Sequence, residues 1–198
     1  MARIKSDRSE ATRAALMDAA LKVITETGVK SVTHRRVCAA ANVSLGTVSY
    51  HYGDLDDLLI DAFTLYVERQ SLKYENSFSA ARSDEDLADA VLALIEALAD
   101  DSDTAVLLWE LYAAGGRDTR YNKLVRKWSR RAKSGVAAYC GSTTATALEA
   151  LWDGAVMQRV VGDAHLSDEE LHRVVLSIIR SDRSRHYPQL EEAASGAG

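Results

Sequence analysis

Proline occurs once in these 198 residues, and cysteine and phenylalanine twice each. With so little proline and so much Ala and Leu, little in the chain interrupts helices, and an all-α fold is expected. Cys38 and Cys140 are too few and too far apart for a disulfide framework or a zinc site. No metal and no other cofactor is therefore expected, and the setting is read as a reducing cytoplasm. Uninterrupted apolar runs stop at six residues, far short of the roughly 20 that a spanning helix requires. The opening MARIKSDRSE lacks the apolar stretch of a signal peptide. Enzyme signatures are missing too: there is no G-x-S-x-G, no phosphate-binding glycine loop, no C-x-x-C and no H-E-x-x-H. Asp101 and Asp103 follow the helical run LALIEALAD and read as helix-capping residues. His165 and His172 flank a polar turn without an evident third ligand and read as solvated. No enzyme is expected.

What the chain does hold is 47% apolar residues, enough for a core, and a net charge of −5 that is unevenly spread. Residues 1–52 carry eight basic and four acidic side chains, hence +4, and the remainder is −9. Positive charge confined to one end suits a polyanionic partner, because displaced counterions supply much of the affinity.

The same end has the pattern of a three-helix head. Residues 10–27 place Leu16, Ala19, Ala20, Val23 and Ile24 on one helical face, with Gly28 at the C′ position. Thr33 caps a short helix, HRRVCAAA, whose Val37, Cys38 and Ala41 turn inward. Asn42 tolerates the left-handed backbone of a sharp turn. Val43 anchors that turn, and Ser44 caps a third helix, LGTVSYHY, with Val48 facing the head. These spacings make a helix-turn-helix, whose second helix enters the DNA major groove. Its outward residues are Leu45, Gly46, Thr47, Ser49, Tyr50 and His51, while Arg35 and Arg36 project toward the same surface. The capped ends at Thr33 and Ser44 offer backbone amides to phosphates.

The run from Thr33 to Tyr52, THRRVCAAANVSLGTVSYHY, followed by Leu58-Leu59, resembles the N-terminal signature of TetR/AcrR-type transcriptional regulators. The likeness extends from about Thr12 to Phe63. It implies an all-helical homodimer with two DNA-binding heads and a larger C-terminal body for ligand binding and dimerisation. The divisions are then 1–53, 54–182 and a tail at 183–198. It also implies a repressor that a small apolar or amphipathic effector releases from a palindromic operator. Positions matching Thr33, Arg35, Ser44, Leu45, Gly46, Thr47, Tyr50 and His51 meet DNA in such proteins. Two departures stand out. Asn42 replaces the usual glycine of the turn, and Leu55 stands where many members have a phosphate-gripping lysine, among Asp54, Asp56 and Asp57. The aspartates read as capping the fourth helix. A carrier protein whose head has lost DNA function is the competing reading.

In the body, helices are expected near 54–77, 85–100, 103–115, 118–140, 143–163 and 167–181. Trp109, Glu110, Tyr112, Trp128, Tyr139, Trp152 and Met157 are candidates to line an effector pocket, with Glu149 and Asp153 as further polar candidates. Each aromatic taken singly is better explained by core packing, and the pocket reading rests on the set. Leu151, Ala155, Leu171, Val174, Val175 and Ile178 form apolar stripes suited to a four-helix dimer interface.

Overall fold

Helices that proline does not stop must end through caps and turns, and the computed structural model shows how they do so. It describes residues 2–78, 80–162 and 166–186, of which 2–8 and 182–186 by backbone alone. Ten α-helices follow one another: α1 (Ala2–Thr27), α2 (His34–Ala41), α3 (Leu45–His51), α4 (Leu55–Phe78), α5 (Asp84–Asp100), α6 (Ser102–Gly115), α7 (Thr119–Ala132), α8 (Ser134–Cys140), α9 (Ser142–Val161) and α10 (Asp168–His186). A 3-10 turn at Val29–Ser31 precedes α2, and no strand occurs among the described residues. The architecture is all-α. None of the described helices is long and apolar enough to cross a membrane. His165 and the tail beyond His186 lie outside the described residues.

Three helices depart from the expected bounds, α10 by running on to His186, into the stretch expected as a tail. α1 begins at Ala2, not near residue 10. The helix expected over 118–140 is broken at Lys133, where ψ is near 1° and α7 gives way to α8. The Ser134 hydroxyl donates to the Arg131 carbonyl at 2.8 Å, taking an acceptor from the helix ladder. At Gly135 a Cβ would stand 3.2 Å from the Cβ of Phe78, so the chain passes too close for a larger residue without adjustment. A Ser-Gly pair at a close crossing is a recognised cause of kinks.

The described residues form two compact units, one within 2–70 and 106–128, the other within 71–105 and 129–186. In the first, α1 packs on α2 and α2 on α3. Leu16, Ala20, Ile24, Val37 and Val48 are fully buried there, as are Leu58, Ala62 and Phe63 of α4. Each large aliphatic side chain so buried contributes about 1.5–3 kcal/mol. Phe63 meets Tyr121 edge to face at 5.8 Å, and burial pushes the Tyr121 phenol up to about 12. At the end of α1, Gly28 takes φ 77°. A Cβ there would lie 3.2 Å from a Glu110 carboxylate oxygen, whose other oxygen accepts from the Val29 amide at 3.1 Å.

In the second unit α5 packs against α9 and α10, and α8 against α9. Ser83 and Asp86 form a reciprocal capping box at the start of α5. Asp101 accepts from the Thr104 amide and hydroxyl at 3.2 and 2.7 Å, the capping role read from the sequence. Leu171, Val175 and Ile179 of α10 are buried in this unit. That corrects the apolar stripe proposed for dimerisation. Leu171 and Val175 are buried in the protomer's own core, whereas Val174 is 38% exposed. Leu151, Ala155 and Ile178 are half-buried.

Asn42 lies at φ 53°, ψ 47°, the left-handed region. Replacing it with Ala should lower stability by about 1–2 kcal/mol, while Asn42→Gly should stay within about 0.5 kcal/mol of wild type. Chemical denaturation of the three proteins checks this; equal losses for Ala and Gly would show that the Asn side chain, not the backbone, matters.

Candidate nucleic-acid interface

Three residues separate α2 from α3, and their backbone bonds close the turn. The Val43 amide donates to the Cys38 carbonyl at 3.0 Å, and the Asn42 amide to the Ala39 carbonyl at 3.3 Å. Thr33 Oγ1 accepts from the Arg36 amide at 3.3 Å and Ser44 Oγ from the Thr47 amide at 3.2 Å, so both expected N-caps form. These bonds set α3 on the head with Val48 fully buried beneath it.

The opposite face of α3 is open. Tyr50 is 78% and Leu45 57% exposed, unusual for large apolar groups without a partner. Gly46 and Ser49 are exposed, and Thr47 and His51 half-buried. The Tyr50 and His51 rings stand edge to face with centroids 5.1 Å apart. Ser44 and Thr47 share a hydroxyl–hydroxyl bond of 2.9 Å. On α2, Arg36 donates to the Ser31 carbonyl at 2.9 Å, which commits it partly to the 3-10 turn. Arg35 is exposed and forms no ion pair among the described residues.

Directly behind α3, its C-cap residue Tyr52 is only 4% exposed. Arg13 of α1 donates to the Tyr52 hydroxyl at 3.0 Å, lies 5.0 Å from its ring centroid and pairs with Asp61 of α4. Burial raises the Tyr52 phenol above its usual range, against the opposing effect of the Arg13 hydrogen bond. Sequence reading missed this three-helix tie, since Arg13 counted only as one basic residue of the head. Asp54 accepts from the Asp56 amide at 3.1 Å at the start of α4, and Asp56 pairs with Arg120 at 2.8 Å. Leu55 is half-buried between them.

The seven candidates for an effector pocket are not gathered into one unit. Trp109, Glu110, Tyr112 and Trp128 belong to the unit of the head, and Tyr139, Trp152 and Met157 to the other. Glu110 is engaged by the Val29 amide, Tyr139 donates to Asp84 at 3.0 Å, and Met157 is 47% exposed. Trp152, fully buried, stacks on Phe78 at 5.7 Å and meets Tyr74 at 6.1 Å. On the same helix Glu149 is 9% exposed, with one oxygen accepting from Ser129 and Lys133 at 3.0 and 2.9 Å. Its other oxygen and the Trp152 indole nitrogen are buried without a hydrogen-bond partner. Tyr74 and Phe78 come from α4, which the sequence presents only as a connector.

Family comparisons agree with this architecture. Residues 16–62 match the family described as bacterial regulatory proteins, tetR family, and residues 82–181 match the tetracyclin repressor-like C-terminal domain. The HTH-type transcriptional regulator BetI of Burkholderia mallei is 31% identical over 121 residues, and the chain spans 61% of that relative's length, as of its own. Among solved structures, SCO7518 from Streptomyces coelicolor A3(2) superposes with a TM-score of 0.77 at 27% identity, covering 85% of this chain and 98% of that one. The multidrug binding protein EbrR complexed with ethidium gives 0.70 at 27% identity, covering 84% and 98%. The chain belongs to the TetR family of helix-turn-helix, DNA-binding transcriptional regulators.

Proposed function

We propose that this regulator is a homodimeric cytoplasmic repressor, without enzymatic activity, that leaves a palindromic operator when a small aromatic or amphipathic effector binds. The carrying observation is the exposed face of α3, held by two N-caps and a left-handed turn, with Tyr50 almost fully in solvent. Leu45, Gly46, Thr47, Ser49, Tyr50 and His51 read base edges, and Thr33, Ser44, Arg35 and Arg36 hold phosphates. Residues 1–53 act as the DNA-binding domain and 54–182 as the body. The carrier reading leaned on the aspartates around Leu55, and Asp54 and Asp56 have structural partners of their own.

Effector binding is assigned to the aromatic group around Trp152, with Glu149 orienting the ligand. Its unpartnered oxygen and the Trp152 N–H supply an acceptor and a donor. EbrR's complexes with ethidium, proflavin and malachite green support multi-ring aromatic molecules as the class. A second copy is assigned to the groove between α9 and α10, lined by Ala150, Leu151, Gly154, Ala155, Gln158 and Leu166. Val161, 69% exposed, and Val174 extend its apolar margin. Release follows if the effector prefers a dimer whose two α3 helices no longer match successive major grooves.

With DNA from the intergenic region upstream of its own gene, Tyr50→Ala and Thr47→Ala should cost about 1–3 kcal/mol of specific binding each and leave non-specific binding nearly unchanged. Arg35→Ala should weaken both and lower the salt slope by about one. Anisotropy titrations at several salt concentrations separate these outcomes; equal losses on operator and random DNA for Tyr50→Ala would refute base readout. At Gly154 an added Cβ meets nothing within 4 Å. Gly154→Arg should therefore keep the protomer folded and yield monomers in sedimentation, whereas an intact dimer would remove this groove as the interface. Titration with ethidium should quench tryptophan emission and release DNA. Trp152→Phe should lose most of the quenching, and quenching retained in full would place the effector elsewhere.

A further inference from the structure

The recognition helix has a neighbour that neither sequence motif nor family likeness brings into play. An open recess of about 550 Å³ lies between α1 and α3. Ser9 and Thr12 of α1 form one side, and Ser44, Thr47, Tyr50 and His51 form the other. Gly46 adds no side chain, and a Cβ placed on it would meet only the Ser44 hydroxyl, at 3.8 Å. Among the described residues, the six side chains around the recess each carry a hydroxyl or an imidazole, and no carboxylate or aliphatic side chain lines it.

That chemistry selects its occupant. Hydroxyl groups donate without demanding charge neutralisation, and several converging on one space suit a tetrahedral oxyanion with multiple acceptor lone pairs. A nearby carboxylate would repel such a group, and none of the described residues lining the recess carries one. The hydroxyls of Ser44 and Thr47 already exchange one proton at 2.9 Å, which leaves the other free to donate outward. The recess opens beside the exposed face of α3, where a DNA backbone runs if that helix lies in the major groove.

We propose that Ser9 and Thr12 bind a backbone phosphate of double-stranded DNA together with Ser44, which makes α1 part of the DNA interface. The proposal rests on the reading of α3 as the DNA-binding helix. It assigns the α1 residues a positioning contact, blind to sequence, that fixes the head's orientation on the duplex.

The test uses the full-length protein and a short random-sequence duplex, since a phosphate contact is independent of base sequence. Ser9→Glu should lower affinity by about tenfold or more, and Ser9→Lys should raise it and steepen the salt slope by about 0.9. The gain also separates the effect from misfolding, which no loss-of-binding variant does alone. Ala11, exposed and two residues further round α1, is the control for general electrostatics: Ala11→Glu should change affinity less than about twofold. Equal effects at Ser9 and Ala11, or none at Ser9, overturn the proposal while wild-type binding stands. Failure of the wild type to bind any duplex overturns it together with the reading of α3. Inorganic phosphate at matched ionic strength should not compete; competition would make the recess a free-phosphate site and overturn the assignment to DNA.

Discussion

Between α2 and α3 the chain reverses direction within three residues, and it does so only because the backbone at Asn42 turns left-handed. A residue with a bulkier or branched side chain at that φ crowds the following carbonyl, so the geometry narrows the choice to Gly, Asn or Asp. Once the turn is made, Val43 reaches back to Cys38, Ser44 caps α3, and Val48 enters the core. The exposure of Tyr50 is then a geometric consequence, because it lies two residues, about 200° of helix, beyond buried Val48. Every property assigned to the interface descends from that reversal.

Charge works at longer range. The head's positive balance is partly consumed by structure, since Arg13 is tied to Asp61 and Tyr52. Its acids are partly consumed too: Asp18 faces Arg69 and Glu26 faces Lys22. Such exposed pairs add little stability, but they decide which charges remain to be felt at a distance. Arg35 is exposed on α2 and forms no ion pair among the described residues. The acidic remainder of the chain offsets the head in the total while leaving its local field positive.

The head was legible in the sequence because its determinants are local. A cap, a turn residue and an anchor lie within a dozen positions of one another, and each acts on its immediate neighbours. The body was legible only as periodicity. Period tells which face of a helix is apolar and not what covers it, so Leu171 and Val175 read as interface when α5 and α9 already bury them. The break at Lys133 escapes periodicity because it combines a local Ser134-Gly135 pair with a close crossing by Phe78, more than 50 positions away. The effector candidates are divided between the two units for the same reason. Trp152 finds its partners on α4, while Glu110 is held by a backbone amide far back in the chain.

The carboxylate of Glu110 bears on how this architecture can be taken apart. It closes the 3-10 turn that launches α2, and it does so from α6, in the stretch 106–128 that forms one compact unit with residues 2–70. Tyr121 covers Phe63 from the same stretch. The head is therefore completed by residues encoded far downstream of it. Recombination that cuts the gene just after the recognition helix would graft a surface without its footing, so exchange of operator specificity between relatives is easier by point substitution on α3 than by shuffling whole heads.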